Sequence, residues 1–280
     1  MTTRVLLEGL RFPEGPRWHD GRLWFSDMHD GRVIALDAQG RAETVLALDG
    51  DEPSGLGWLP DGRLLVVAMH ARRVLRREPD GALRVHGELG DVAHFHANDM
   101  VVDARGRAYV GNFGFDLHGR APRRATNLAL VHPDGRVAVA ADEMMFPNGT
   151  VITPDGSTLI VGESFGARLT AFDVGADGRL SNRRVWAQLE KAIPDGICLD
   201  AEGCVWVASP VSHGVLRVRE GGEVVERVAV ERQAYACMLG GADRRTLYVC
   251  TADTPDPQET SRRLGRIEAI EVAVPGAGWP

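Results

Sequence analysis

One short phrase recurs six times along this chain, and it constrains the fold more than any other feature. A turn rich in Asp and Gly precedes a β-branched or aromatic run in HDGRLWFSD, PDGRLLVVA, ARGRAYVGN, PDGSTLIVG, AEGCVWVAS and DRRTLYVCT. The third residues are Gly21, Gly62, Gly106, Gly156, Gly203 and Arg245, so successive spacings are 41, 44, 50, 47 and 42 residues. A second run follows each phrase, as in GRVIALD, RRVLRRE, NLALVHP and ARLTAFD. Asp-Gly turns between such runs are hairpin signals. Several strands per unit at a period of 40–50 residues mark a propeller, and no long segment has helical periodicity. The expected fold is all-β: a six-bladed β-propeller with a central metal site, occupying 1–280 as one domain. The strand near Val5–Glu8 has no unit of its own, so it is expected to pair with the last unit and close the ring.

The repeat also aligns the chain with itself. Seven or eight residues before each anchor lie FPEGPRW, EPSGLGW, HANDMVV, FPNGTVI, IPDGICL and YACMLGG. The equivalent positions are Glu14, Ser54, Asn98, Asn148, Asp195 and Cys237, each at the start of the first strand of its unit. First strands line the central channel of a propeller, so these side chains are expected to converge at one mouth of it. Pro-Glu-Gly, Pro-Asn-Gly and Pro-Asp-Gly also read as turns. Four oxygen-bearing side chains at equivalent positions point instead to a site. Two carboxylates and two amides suit a hard cation such as Ca²⁺ or Mg²⁺, and also admit Mn²⁺ or Zn²⁺. Without a cation, two buried carboxylates repel each other and lose their hydration.

Composition removes other classes. With 44% hydrophobic and 25% charged residues the chain reads as an ordinary globular protein. A net charge of −7 gives no basic surface for a nucleic acid or an anionic membrane. Glu8 and Arg11 interrupt any apolar leader, and no stretch nears the roughly 18 apolar residues of a membrane span, so a cytoplasmic location is expected. Cys198, Cys204, Cys237 and Cys250 have no CxxC spacing and read as buried reduced thiols. The six Trp fall in strand patterns and read as packing between blades.

The FPEG around Glu14, the Asn98–Asp99 pair, the PNG at Asn148, IPDGICLDAEGCVWVA around Asp195 and SNRRVWAQLE from Ser181 to Glu190 resemble the gluconolactonase/regucalcin family, the senescence marker protein family. The resemblance spans nearly the whole chain. It implies that Glu14, Asn148 and Asp195 ligate one divalent metal ion (Ca²⁺, Zn²⁺, Mn²⁺ or Mg²⁺), while Asn98 binds substrate or a metal-bound water. It further implies a metal-dependent hydrolase of a small lactone. Calcium-dependent phosphotriesterases of similar fold use a comparable Glu-Asn-Asn-Asp set. Phosphoester or organophosphate hydrolysis, a non-hydrolytic rearrangement, and a non-enzymatic calcium-binding propeller therefore stay open as alternatives. Family members acting on sugar lactones often carry Arg two residues before the Asn, where this chain has His96. That departure points to a smaller or less hydroxylated lactone.

Asp195 is the candidate general base, beside the metal and a water. A carboxylate next to a cation is a weak base, so a purely ligating role is the alternative. No GxSxG elbow is present, which argues against covalent catalysis. His96 shares a face with Asn98 in an extended strand and is the candidate substrate contact; His94, His70 and His213 read as surface residues. The rim is expected from Asp27–His29, Met69–His70, Asn112–Arg120, Glu163–Phe165, Pro210–His213 and Thr251–Pro257. The third of these loops, running to about residue 126, has the Gly, Phe and Arg content of a lid or of a surface excursion. The expected partner is a small molecule.

Overall fold

In the computed structural model, which describes residues 3–278, six antiparallel sheets follow one another in chain order. Their first strands are Pro13–His19, Pro53–Trp58, Ala97–Val102, Pro147–Ile152, Ile197–Asp200 and Gln233–Gly240. Each pairs with the strand that follows it, and blades 1 to 5 continue outward to a fourth strand. The sixth blade has three strands of its own. Its outer position is filled by Arg4–Leu10, which pairs antiparallel with Gly265–Glu271. The expected ring closure by the N-terminal strand is therefore observed, and it pairs two edges that would otherwise be open.

The Asp-Gly turns work as the repeat implies. Gly21, Gly62, Gly106, Gly156 and Gly203 all have φ between 72° and 84°, the left-handed region that glycine enters without a Cβ penalty. The sixth turn differs by one residue. Arg244, not Arg245, takes positive φ (59°), and Asp243 accepts the Arg245 N–H as Asp155 accepts that of Ser157. The register between Gln233–Gly240 and Thr246–Ala252 slips between Ala234 and Ala236, as it does at the equivalent point of blades 1 to 4.

First strands are buried on both faces; outer strands such as Val137–Met144 are mostly half-buried or exposed. The core lies between blades. Leu65, Val67 and Val74 of blade 2, for example, pack on Met100, Val102 and Val110 of blade 3. Tryptophans bridge blades as expected: Trp18 stacks on Tyr248 at 5.6 Å, and Trp58 meets His19 and Trp24 of blade 1. Trp279 lies outside the described residues. The four cysteines are buried and free.

Two features position the channel. Small residues let neighbouring first strands approach at the axis. A Cβ on Gly149 would stand 2.5 Å from Asp195 O, and one on Gly196 would stand 2.4 Å from the Ala236 Cβ. The end of the channel opposite Glu14 is covered by Gly276–Ala277, which adds a short antiparallel strand to Leu199 and Asp200. No helix among the described residues is long and apolar enough to cross a membrane.

Candidate active site

The open end of the channel is a cavity of about 690 Å³, with Glu14, Asn98, Asn148 and Asp195 all on its wall. Four positions expected to converge from the repeat do converge. The other two behave differently. Ser54 is buried and gives its hydroxyl to Asn98 Oδ1 at 3.4 Å. Cys237 is not at the axis: its thiol lies 3.8 Å from that of Cys198 and among backbone carbonyls. The axial residue of blade 6 is Tyr235, whose carbonyl takes the Gly196 N–H at 2.8 Å just as the Asp195 carbonyl takes that of Gly149 at 3.2 Å. The sixth turn is displaced by one residue, and nine residues rather than seven or eight separate its Arg244 from the axial Tyr235, which misplaced the alignment.

The amides are oriented by their neighbours. Ser164 gives its hydroxyl proton to Pro194 O at 2.8 Å, so it accepts from Asn148 Nδ2 at 3.2 Å. The same Nδ2 donates to Asp195 Oδ1 at 2.5 Å. Asn148 thereby turns its Oδ1 away from both acceptors. Asn98 differs: its Oδ1 takes the Ser54 hydroxyl, leaving Nδ2 as the donor available to a ligand.

Beneath the ring sits a pair that the sequence alone did not reveal. Asp99 occupies the position that is glycine in blades 1, 2, 4 and 5. Its carboxylate meets Arg17 Nη2 at 2.7 Å, with both side chains buried. Arg17 also donates to the carbonyls of Pro16 (2.7 Å) and Met100, tying blade 1 to blade 3.

Three carboxylates and one guanidinium leave two uncompensated negative charges at the axis. Burial, and then the charge of Asp195, push Glu14 well above the usual carboxylate range; among the described residues its carboxylate accepts only the Gly15 N–H, at 2.9 Å. Burial pushes Asp195 up to about 7, against the Asn148 hydrogen bond and with the Asp99 charge. Two deep carboxylates raised in this way, with two surplus charges and a free amide oxygen, fit a divalent cation. Among the described residues no group of three or more His, Cys, Asp or Glu is placed to hold a metal, so such an ion would depend on amide oxygens and water for its remaining ligands.

Above the axial ring lies a second ring, two residues earlier in every blade: Phe12, Glu52, His96, Phe146, Ile193 and Gln233. All six line the cavity. His96 faces it as expected, whereas His94 is exposed. Buried polar side chains at the ends of the second strands hold this ring in place. Asp27 accepts the Arg11 and Phe12 N–H groups, Glu163 that of Met145, and Ser209 that of Ile193. A third layer comes from the rim loops, each of which contributes, including Met28, Met69, Phe113, Ser164, Pro210 and Pro255.

His70 is exposed, as expected, and from its place in the rim it also lines the cavity, meets Glu52 at 3.4 Å and lies 4.4 Å from the His96 ring. The Glu52 hydrogen bond raises its pKa. His213 is exposed, as expected. The loop after Asn112 is more than a surface excursion: Phe113, Leu117 and His118 form cavity wall. Its base is fixed by Asn112, which bonds Asn127 O, Gly114 N and the Thr126 hydroxyl.

Residues 12–253 match the model of the SMP-30/gluconolactonase/LRE-like region. The chain belongs to this family. It is 33% identical over 271 residues to regucalcin of Oryctolagus cuniculus, covering 92% of this chain and 89% of the relative. It is 26% identical over 284 residues to a 6-deoxy-6-sulfogluconolactonase of Pseudomonas putida, covering 95% and 93%. Among solved structures, a calcium-binding protein, regucalcin, from Agrobacterium tumefaciens superposes with a TM-score of 0.82 over 100% of this chain and 96% of that one, at 24% identity. That likeness supports the six-bladed fold of the family. A lactonase-type hydrolase is plausible at the level of the family.

Proposed function

We propose that this member of the family is a divalent-metal-dependent lactonase, with Glu14, Asn148 and Asp195 as metal ligands and Asn98 and His96 as substrate contacts. The observation that carries the reading is the pair of raised, deep carboxylates with two surplus charges on the floor of a ligand-sized cavity. A divalent cation held there would supply Lewis acidity to a carbonyl and lower the pKa of a water.

The residues divide the remaining work. Asn148 carries an oxygen toward the cavity and is kept from turning by Ser164 and Asp195. Asn98 presents Nδ2, a donor placed to hold the substrate's carbonyl or exocyclic oxygen. Asp195 takes the proton of the attacking water and returns it to the ring oxygen as the C–O bond breaks. The apolar upper walls exclude bulk water from the reacting carbonyl.

The test is a pH-stat assay on a lactone panel with the metal-loaded protein. Acid release is expected to stop with chelator and return with Ca²⁺, Mn²⁺, Zn²⁺ or Mg²⁺. Acid release that persists unchanged in protein shown to be metal-free would contradict the metal-dependent reading.

A further inference from the structure

Two rings of side chains above the axial set decide what the cavity can hold. In the second ring Phe12, Phe146 and Ile193 are apolar, Gln233 is neutral, and Glu52 is acidic. In the layer above, Met28, Met69, Phe113 and Pro210 are apolar. Phe113 stacks on Phe146 with ring centres 4.5 Å apart, and Phe165 meets Phe146 edge-on at 5.1 Å. Phe146 has φ 62°, a conformation rare for a bulky side chain. These aromatic contacts hold it there. On the opposite side Phe12 stacks on His29 at 4.7 Å and meets Tyr235 edge-on.

The cavity wall offers no permanent cation to an anionic ligand, and much of it is aromatic or aliphatic. Among the described residues no Lys or Arg lines it. Arg17, beneath the floor, is engaged by Asp99. Arg123 packs its guanidinium on the Phe165 ring at 4.1 Å and is not part of the cavity wall. His29 is neutral at pH 7, because burial drops it to about 4. The charge of His70 is opposed by Glu52 at 3.4 Å. A sulfonate, phosphate or carboxylate held in the upper cavity would lose its hydration, face Glu52 and gain no Lys or Arg. Polar side chains such as His96, His118, Gln233 and Gln258 are also present, but the Phe12, Phe113, Phe146 and Phe165 faces give a polyol's hydroxyls no partner.

The volume decides size. About 690 Å³ lies within the range of roughly 300–1,000 Å³ that takes drug-sized ligands, so a small lactone ring at the floor would leave the aromatic layers unfilled. Resting on the lactonase reading, we infer that the substrate is an uncharged lactone bearing a large apolar substituent, aryl or long alkyl. Its ring lies at Asn98 and Asp195, and its substituent lies between the Phe146–Phe113 and Phe12 walls. The expectation of a smaller lactone, drawn from His96 alone, gives way to a less hydroxylated but bulkier one.

The experiment compares kcat/KM of the metal-loaded protein for δ-dodecalactone, dihydrocoumarin, δ-valerolactone and glucono-1,5-lactone, after subtraction of spontaneous hydrolysis. Each fully buried methylene raises kcat/KM about fourfold, so with about half of its heptyl chain buried δ-dodecalactone is expected to exceed δ-valerolactone on the order of a hundredfold. Dihydrocoumarin is expected to exceed gluconolactone by a similar factor. Phe146→Ala should shrink the dodecalactone-to-valerolactone ratio at least several-fold, and Phe146→Leu should restore most of it. If gluconolactone is opened fastest, or the ratio is near one, the inference is overturned while the lactonase reading stands. If none of the four is opened by protein shown to contain its metal, the lactonase reading fails and this inference falls with it.

Discussion

Asp195→Asn is expected to lower kcat on any accepted lactone by about 10²–10⁴ while leaving the protein folded. The substitution keeps the shape of a side chain that accepts the Asn148 amide at 2.5 Å, but removes its charge and its capacity to take a proton. Stability of the metal-free protein should change in the opposite direction. Asp195 is raised to about 7 in the folded state, chiefly by burial. The folded protein therefore binds a proton more tightly than the unfolded chain, and ionising Asp195 costs stability. That cost is absent below the ordinary aspartate value of 3.8, grows as pH rises toward about 7, and is complete above it. Asp195→Asn removes it, so the stripped variant should melt at or above the parent at pH 8. Kinetics, elemental analysis and melting of the same preparations separate the roles. Activity within threefold of the parent at equal metal content would remove Asp195 from the mechanism. Loss of activity together with metal would assign it to ligation.

Asp99→Ala is expected to be among the most destabilising changes at the axis, by about 3–5 kcal/mol. For a chain of this size that lowers the melting temperature by roughly 6–20 °C. Asp99 is buried against Arg17 at 2.7 Å, and its removal leaves a guanidinium buried without its counter-charge. The pair links blade 1 to blade 3 through Arg17 and the Met100 carbonyl, so the loss falls on the closure of the ring. Replacing both partners with apolar residues, as in Arg17→Met with Asp99→Leu, should recover much of the loss, because no charge is left without a partner. Melts in chelator isolate this effect from metal binding. A shift below 2 °C for Asp99→Ala would show that the pair does not hold the blades together.

The propeller was legible because its turns repeat: five Asp-Gly-type phrases place glycines with positive φ at one point in each blade. The same alignment brought Glu14, Asn98, Asn148 and Asp195 to one cavity wall, since equivalent positions in successive blades face the same axis. It failed in blade 6, where Arg244 replaces the turn glycine and lies nine residues, rather than seven or eight, after the axial residue Tyr235. That slip put Cys237 in the ring and left out Tyr235. The Arg17–Asp99 pair was legible only as an exception, an Asp at a position otherwise held by glycine. Nothing local indicates that Arg17 turns inward beneath Glu14. The second ring needed a two-residue offset from the first, which was applied to His96 but not to Phe12, Glu52 or Phe146. His70 and Glu52 meet only because adjacent segments of one blade rise together above the floor. The short Gly276–Ala277 strand carries no strand pattern, and its pairing is dictated by the tertiary fold.

The central claim is that one divalent cation neutralises Glu14 and Asp195 at the floor of the cavity. Thermal melts of stripped protein, titrated separately with Ca²⁺, Mn²⁺, Zn²⁺ and Mg²⁺, test it most directly. A cation that binds the folded state alone adds about 2.7 kcal/mol when its free concentration is a hundred times Kd. At least one of the four should therefore raise the melting temperature by several degrees, with chelator reversing the gain. Glu14→Gln should melt higher than the parent when stripped and respond less to metal, because it loses one of the two surplus charges. A stripped parent that melts at the same temperature with every metal, at concentrations up to millimolar, would contradict the claim.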